Sequence, residues 1–476
     1  MQRVLEECDR ASVELAPDPV HDLRVALRRC RSMADGLVAI DPDPTWKQMK
    51  KAGKGLFRRL GELRDFQVMD DWVRRLGAPE DPVTQRLLQF LAGRELLLKQ
   101  EAAVALREFD RKQWVRWSAA LSRRAARIRS GGAIFKHLAL ERWTEAHTLH
   151  RLALRNRSQV AFHNLRIGIK RFRYIVENFL PEQHAAWQKD LKDLQDLLGE
   201  VHDLDVLRAT AEQMRAFPNP DSRAHWHGKL VEERTQRIQK YREKMLGENS
   251  LWQKWRAELP SGKQIESAAL SRLKLWGSLL DPDTRHSAHV ARLALQLYDG
   301  LPATRLTEEE SKQQRSILEA AALLHDVGRS EKGGDHHKAT YRLIRQLTPP
   351  LGWTAEAMLI AGASARYHRG ALPRAGQKTM AAFTPVQRET VRRLAGILRL
   401  ANALDAQRDG RIQGIRIHQQ NGFLLLAAEG YSARDRMAEE IAAGRHLLET
   451  VYRRPILVKP LRRERVPERK HAPAGK

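Results

Sequence analysis

The sequence predicts a mainly α-helical protein of more than one domain, and three observations lead to this prediction. Long segments contain few Gly or Pro residues and many Leu, Ala, Arg, Lys and Glu residues, with apolar positions three and four residues apart. Part of the first half of the chain recurs further along. The chain has 476 residues, which is too long for one compact core, so two or three domains are expected.

An internal repeat organises the first half of the chain. Residues 21–31, HDLRVALRRCR, recur at 163–173 as HNLRIGIKRFR, and LGELRDFQV later recurs as LGEVHDLDV. A pair of tryptophans then recurs in the same order. Because three matched features in one order indicate duplication, we predict two similar all-α units, about residues 1–145 and 146–257. The linker that follows them is expected at 260–262, PSG.

On a helix, each copy of the repeated segment places its cations in one stripe, opposite an apolar side. The stripes contain His21, Arg24, Arg28 and Arg31 in the first copy, and His163, Arg166, Lys170 and Arg173 in the second. A solvated basic face is the simpler interpretation of one such helix, but it would normally carry Glu four residues from Arg or Lys to limit repulsion. Two matched stripes without a carboxylate therefore favour a surface that binds a polyanion.

The overall charge agrees with a polyanionic partner. The formal net charge is +26 and the pI is about 10.4, which favours nucleic acid, an anionic membrane or a phosphate polymer. Nucleic acid is the weaker candidate because aromatic residues make up only 6% and no DNA-reading motif occurs. Cys8 and Cys30 form no CxxC motif, and no long uncharged apolar run occurs. We therefore expect a cytoplasmic protein without membrane segments, disulfides or thiolate metal sites.

The motif HxxRVxxRRxRS followed by LGxxRDxxV resembles the CHAD family, the conserved histidine α-helical domain, over about residues 1–257. The resemblance implies two antiparallel helical bundles with pseudo-twofold symmetry around a basic groove that binds inorganic polyphosphate. The implied phosphate-binding residues are His21, Arg24, Arg28, Arg29, Arg31, His163, Arg166, Lys170, Arg171 and Arg173. Weaker candidates are Lys51, Lys54, Arg58, Lys189 and Lys192. A triphosphatase fusion of this family would need a β-tunnel with alternating Glu, Lys and Arg, which the sequence lacks.

The second half of the chain contains a different chemistry, rich in histidine and aspartate. The candidate metal ligands are spread over five predicted segments: His286, His325, Asp326, His336, His368 and Asp405. A single histidine is usually exposed or hydrogen-bonded in a core. Neutral imidazole and carboxylate together suit divalent cations, so the whole set predicts a metal site for Mn, Mg or Fe.

The order H…HD…H…H…D resembles the HD phosphohydrolase superfamily, in which the fuller form is associated with two metal ions. The resemblance implies a metal-dependent phosphohydrolase with Asp326, His325 and Arg369 as catalytic residues, and with Arg329, Lys338 and Arg366 beside the ligands. HHKATYRLI, GWTAEAMLIAGASARYHRGALP and LAGILRLANALDAQRDGRI resemble the C-terminal helical domain of the exopolyphosphatase and guanosine pentaphosphate phosphohydrolase family. Catalysis in that family belongs to an actin-like domain for which this sequence has no phosphate-binding loop.

These observations predict a domain order for the rest of the chain. We expect an all-α HD-type domain at 268–412, a small α+β appendage of β-β-α-β order at 413–460, and a basic, disordered tail at 461–476. Two functions stay open. The chain either binds polyphosphate and hydrolyses polyphosphate or a phosphorylated nucleotide, or it is a non-catalytic scaffold on polyphosphate granules.

Overall fold

The structure is a computed structural model that describes residues 1–302, 306–432 and 437–461. It divides into two compact units, Met1–Ala268 and Ala269–Lys476. The predicted class is confirmed, because the described residues are mainly helical with a small sheet near the C-terminal end. The predicted tail falls, except for Leu461, outside the described residues. None of the helices in the described ranges is long and apolar enough to cross a membrane.

The first unit is built entirely from helices in the order of the repeat. They are α1 (Gln2–Val13), α2 (Pro17–Leu37), α3 (Thr45–Ala52), α4 (Lys54–Leu76), α5 (Pro82–Arg107), α6 (Arg111–Ala125), α7 (Ala133–Asn156), α8 (Gln159–Phe179), α9 (Pro181–Gln213), α10 (Pro220–Met245) and α11 (Leu251–Ala257). A further helix, α12 (Lys263–Ser278), continues into the second unit, and the expected linker lies between α11 and α12.

The repeat is visible in the pairing of these helices. α2 and α8, which carry the two cationic stripes, pack against each other, and so do α4 and α9. Packing of each helix against its own counterpart is what a pseudo-twofold axis produces. The second set of helices begins with α7, after the glycines Gly131 and Gly132, so the expected repeat boundary near residue 145 falls inside a helix. The first copy is interrupted at Gly53 between α3 and α4, whereas α9 runs without a break.

The second unit contains the histidine and aspartate residues on a helical core. Its elements are α13 (Thr284–Gly300), α14 (Glu308–Leu324), a 3-10 helix (Val327–Ser330), α15 (His336–Arg345), α16 (Ala355–Arg366), α17 (Lys378–Ala381), α18 (Pro385–Leu404), β1 (Ile415–Gln420), β2 (Phe423–Ala428), α19 (Met437–Tyr452) and β3 (Ile456–Pro460). Apolar residues of α13, α14, α16 and α18 form one core cluster.

The C-terminal appendage has the predicted β-β-α-β order. β1 pairs antiparallel with β2, with Ile415 opposite Ala428, and β3 pairs parallel with β2, with Leu424 opposite Ile456. α19 packs against α18, and the two helices approach closely at Gly444. A Cβ atom on Gly444 would lie 2.8 Å from the Cβ atom of Ala403, which explains the absence of a side chain there.

Candidate functional site

In the first unit, α2 and α8 bring the two predicted stripes together. Leu23, Leu27, Leu165 and Ile169 on the opposite sides of these helices are buried, and this fixes the direction of the stripes. The central stripe residues are partly buried at equivalent positions of the two copies: Arg24 with Arg166, and Arg28 with Lys170. His21 is exposed and its counterpart His163 is partly buried.

The electrostatic environment of Lys170 shows how close the two stripes are. Burial, together with the positive charges of Arg166, Arg28 and Arg24, lowers the pKa of Lys170 to about 7. Two of these arginines belong to the first repeat, so cations from both repeats act on one ammonium group. Because these positive charges repel one another, protonation of Lys170 is unfavourable in the free protein and the binding of an anion is favoured.

Two carboxylates lie within this cationic cluster. Asp65 on α4 and Asp203 on α9 are equivalent residues of the repeated LGxxxD motif. Burial raises the pKa of both, and it raises that of Asp203 to about 6. The repeated motif contained these residues, but sequence reasoning assigned them no role. Their charges offset part of the repulsion between the cations, so the cluster persists in the folded unit.

Contacts with the next helices hold the first stripe in place. Arg24 Nη1 donates to the Leu60 carbonyl oxygen at 3.0 Å, and Arg31 Nη1 donates to the Lys50 carbonyl oxygen at 2.6 Å. Both guanidinium groups lie over the Phe57 ring, 5.5 and 5.2 Å from its centre. A Cβ atom on Gly61 would lie 3.1 Å from Arg24 Nη1, so this glycine leaves room for the guanidinium.

The second repeat differs from the first at its histidines. His163 Nδ1 lies 3.4 Å from His202 Nδ1, and His202 stands at the position that Arg64 has in the first repeat. Burial and the nearby Arg166 lower the pKa of His202 to about 4, so this ring is neutral at physiological pH. The end of the site formed by the second repeat therefore carries less positive charge than the end formed by the first.

The predicted cations outside this group are exposed or paired with glutamates. Arg29 and Arg171 are exposed and face Glu177 at 3.8 Å and Glu145 at 2.6 Å, and Arg173 lies 3.6 Å from Glu177. The weaker candidates on the following helices are all exposed: Lys51, Lys54, Arg58, Lys189 and Lys192. The structure therefore brings together Arg24, Arg28, Arg166 and Lys170 more closely than the other predicted cations.

In the second unit, helix ends converge on one buried cluster. The predicted ligands lie at the first turn or just past the last residue of their helices: His286 in α13, His325 and Asp326 after α14, His336 in α15, His368 after α16 and Asp405 after α18. All are buried except His336, which is partly buried. Among the described residues, two groups of three have ligand atoms within 4.8 Å of one another, namely His286, His325 and Asp326, and Asp326, His336 and His368.

Asp326 Oδ1 is the centre of the cluster. It lies 3.4 Å from His336 Nε2 and 3.8 Å from the Nε2 atoms of His325 and His368. Atoms bound to one ion at about 2.1 Å are separated by about 3.0 to 3.4 Å. The observed distances are slightly longer, so the donors need to move only a little to bind an ion.

Backbone hydrogen bonds fix the tautomers of two of these histidines. His325 Nδ1 lies 2.7 Å from the Ala322 carbonyl oxygen, and His368 Nδ1 lies 2.7 Å from the Ala365 carbonyl oxygen. Because a carbonyl oxygen only accepts, each Nδ1 carries the proton, and each Nε2 has a lone pair that faces Asp326. Burial lowers the pKa of both rings, which keeps them neutral and able to bind a metal.

His286 and Asp405 form a hydrogen-bonded pair beside the cluster. His286 Nδ1 lies 2.7 Å from Asp405 Oδ2, and His286 Nε2 lies 3.1 Å from Asn402 Oδ1. Asp405 Oδ1 accepts the Gly410 N–H at 3.0 Å. Asp405, also predicted as a ligand, belongs to neither group of three among the described residues, and its hydrogen bond orients the His286 ring.

The second oxygen of Asp326 contacts two arginines, and the sequence did not predict these ion pairs. Asp326 Oδ2 accepts from Arg408 Nη2 at 2.5 Å and lies 3.0 Å from Arg329 Nε. Arg408 Nη1 also donates to Asp283 Oδ2 at 2.8 Å. Burial alone would raise the pKa of Asp326, but His325, Arg408 and Arg329 lower it well below its usual value. The carboxylate is therefore ionised, as a metal ligand must be.

The other predicted cations of the second unit have different surroundings. Arg369 is exposed, and its charge and that of Arg329 add to burial in lowering the pKa of His336. Lys338 pairs with Asp335, and Arg366 lies over the Tyr367 ring, 5.5 Å from its centre. On the His286 side there is a cavity of about 300 Å³, and its walls include Arg285, His286, Arg292, Asp405 and Arg408. Arginines therefore lie near both His336 and His286.

Comparison with known families agrees with the two units. Residues 2–212 match the CHAD domain, and residues 277–434 match the Ppx/GppA phosphatase, domain III. No curated protein matches the chain. At the family level, these two matches support a polyphosphate-related binding or phosphatase function. The chain is therefore similar to the CHAD domain in its first unit and to the Ppx/GppA phosphatase, domain III, in its second.

Proposed function

We propose that this protein binds inorganic polyphosphate through its first unit and hydrolyses polyphosphate or a phosphorylated nucleotide at a divalent metal site in its second unit. The observation that carries the proposal is the arrangement of three histidine Nε2 atoms around Asp326 Oδ1. Two of those histidines have their lone pairs fixed toward the carboxylate by backbone bonds. The candidate ions are Mn, Mg and Fe, one or two per chain.

Polyphosphate binding follows from the cationic cluster of the first unit. Arg24, Arg28 and Arg166 are partly buried around Lys170 and lower its pKa. A phosphate chain carries negative charge at every unit, so it neutralises several of these cations at once and releases its counterions. Arginine also binds phosphate oxygens through two N–H groups, which adds geometric selectivity to the charge.

Hydrolysis requires residues that hold a phosphoryl group next to the metal ligands. A divalent ion would supply Lewis-acid polarisation of a phosphoryl oxygen and would lower the pKa of water. Arg369 and Arg329 lie close enough to His336 for their charges to lower its pKa, and they can offset the charge of the phosphoryl oxygens. His325 and His368 remain neutral because they are buried, so they can serve as ligands across physiological pH.

A second candidate function is supported by the ion pairs of Asp326. Arg408 and Arg329 both contact its Oδ2 atom, so the charge of this ligand is already neutralised within the protein. Such a site can be stable without a metal, in which case the second unit would bind phosphate chains through its arginines and catalyse nothing. The protein would then act as a polyphosphate-binding scaffold.

Asp326→Asn separates the two functions. Purified wild-type and variant chains are incubated with long-chain polyphosphate, guanosine pentaphosphate or guanosine tetraphosphate and with Mn²⁺, Mg²⁺ or Fe²⁺, while free phosphate and chain length are measured. The proposal expects hydrolysis by the wild type and its loss in the variant, with unchanged polyphosphate affinity in a binding assay. Tight binding without hydrolysis of any substrate by the wild type would favour the scaffold.

A further inference from the structure

The backbone at Arg408 has an unusual conformation for an arginine. Its φ angle is +57°, in the left-handed region that favours glycine. The Arg408 N–H donates to the Asp405 carbonyl oxygen at 2.9 Å, and the next-but-one residue, Gly410, donates to the Asp405 side chain. A residue held in this region at a polar cluster often has a functional reason for its side chain.

The Arg408 side chain bridges two carboxylates from different parts of the chain. It donates to Asp283 Oδ2 at 2.8 Å and to Asp326 Oδ2 at 2.5 Å. Asp283 is itself fixed, because its other oxygen, Oδ1, accepts the N–H of His286 and caps α13. Arg408 is therefore held at one end by a helix cap and holds the orientation of Asp326 at the other.

We propose that Arg408 is a positioning residue that limits the histidine–aspartate cluster to one divalent ion. This inference rests on the proposed metal-dependent function. The two groups of possible ligands share Asp326, so two ions would both need that carboxylate. A carboxylate that bridges two ions commonly gives one oxygen to each. Here Oδ2 accepts from Arg408, which Asp283 holds in place, so only Oδ1 is available. Arg329 also contacts Oδ2, but its side chain is exposed and can turn away when an ion binds there.

The geometry also indicates which group of ligands takes the single ion. Asp326 Oδ1 faces His336 and His368, whose Nε2 atoms are 3.4 Å apart. His286, in the other group, has both ring nitrogens in hydrogen bonds, to Asp405 and Asn402. The guanidinium of Arg408 would in addition repel a second cation close to Asp326 Oδ2. The ion therefore binds on the His336 side.

Arg408→Gly is the informative variant because glycine adopts a positive φ without strain, so the substitution removes the guanidinium and relaxes the backbone. Arg453→Gly is the matched control, since Arg453 has a φ of +52° and is exposed. Arg408→Lys keeps the positive charge. Metal-stripped full-length proteins are equilibrated with Mn²⁺, and bound metal is measured by elemental analysis and by electron paramagnetic resonance, which distinguishes coupled from isolated Mn²⁺.

We expect one Mn²⁺ in the wild type, Arg453→Gly and Arg408→Lys, and two coupled Mn²⁺ ions in Arg408→Gly. The first ion should also bind at least about tenfold more tightly in Arg408→Gly, because a nearby positive charge is gone. Two ions in the wild type, or a single ion in Arg408→Gly, would overturn the role of Arg408 and leave the metal-dependent function intact. No Mn²⁺ in any of the proteins would overturn both.

Discussion

The guanidinium of Arg28 in the first repeat lies 5.8 Å from the centre of the Tyr174 ring in the second. The hydroxyl oxygen of Tyr174 is buried and has no hydrogen-bond partner among the described residues. Burial raises the pKa of this hydroxyl, so it keeps its proton at physiological pH. A buried O–H group without an acceptor is costly in the free protein, and a phosphate oxygen beside Arg28 would supply that acceptor.

Tyr174→Phe should therefore weaken polyphosphate binding without lowering stability. A hydrogen bond to a charged acceptor contributes about 1.5–3 kcal/mol, so the dissociation constant should rise by about ten- to a hundredfold. Anisotropy of labelled polyphosphate and urea unfolding measure the two quantities. The control is Tyr241→Phe, which removes a hydroxyl that bonds to His150 at 2.7 Å. It should lower stability by about 1 kcal/mol and leave binding unchanged; the reverse pattern would contradict the prediction.

The stripe cations should contribute more to binding than the exposed cations beside them. Arg24→Gln combined with Arg166→Gln should reduce polyphosphate affinity by at least about a hundredfold, because each removes a charge-assisted contact. The same change at Arg29 and Arg171, which face Glu177 and Glu145, should have an effect of a few-fold at most. The salt dependence of the first double variant should also be shallower. Equal losses in the two double variants would show that exposed charge, and not the cluster, determines affinity.

Lys170 should make polyphosphate binding depend on pH. Its pKa in the folded protein is about 7, against 10.5 for the free side chain, because of burial and three arginines. A bound polyanion favours the charged ammonium and raises this pKa, so binding between pH 7 and 9 takes up a proton and affinity falls as pH rises. For the unliganded protein the sign is opposite. The unfolded chain binds more protons between pH 7 and 10.5, so this group makes stability rise with pH over that range.

Isothermal titration calorimetry in buffers of different ionisation enthalpy measures the proton uptake. Lys170→Arg places a permanent charge at the position that arginine already occupies in the first repeat, Arg28. The variant should take up fewer protons and should lose affinity less steeply between pH 7 and 9. Identical proton uptake by the two proteins would assign the pH dependence to the phosphate chain or to another group.

Adjacent histidines provide a matched test of the metal site. His336 Nε2 lies 3.4 Å from Asp326 Oδ1, whereas His337 belongs to neither group of possible ligands among the described residues. Both side chains are partly buried. His336→Ala should lose most of the bound metal, with at least a tenfold weaker Mn²⁺ affinity, and His337→Ala should keep it. Elemental analysis after dialysis tests this, and comparable metal content in the two variants would argue against the predicted ligand set.

Much of the candidate site could be predicted because its residues stand in recognisable local patterns. The stripes need only helical periodicity, and the histidine–aspartate set needs only residue type and order. The boundary between the two repeats, expected near residue 145, was harder to predict. The second set of helices begins with α7, before the matched motifs start, so no repeated motif marks the boundary. The same patterns placed Arg29 and Arg171 with the other cations, although on the folded helices they pair with the partly buried Glu177 and Glu145.

Residues that act through tertiary contacts could not be predicted in this way. Tyr174 approaches Arg28 only because α2 packs against α8. Arg408 reaches Asp326 from a distant part of the chain, and it does so in a backbone conformation that its residue type does not suggest. Asp405 fits a ligand pattern by type, and only the folded structure reveals that its oxygens also accept hydrogen bonds from His286 and Gly410.

Gly328 should be essential to the geometry of the histidine–aspartate cluster. A Cβ atom at this position would lie 2.0 Å from the His336 carbonyl oxygen and 2.5 Å from the Thr340 nitrogen. These are backbone atoms, so the 3-10 helix and α15 would have to separate. The Gly328 N–H also donates to Thr340 Oγ1, which donates in turn to the His325 carbonyl oxygen. The contact therefore positions both His325 and His336 relative to Asp326.

Gly328→Ala should lower the free energy of unfolding by about 3 kcal/mol, the upper range for overpacking, and should weaken Mn²⁺ binding although no ligand is changed. Gly334→Ala is the control, because a Cβ atom there meets no atom within 4 Å. Chemical unfolding measures the first effect, and metal titration under native conditions, where the variant is still folded, measures the second. A Gly328→Ala protein with wild-type metal affinity would mean that the close contact stabilises the fold without setting the position of His336.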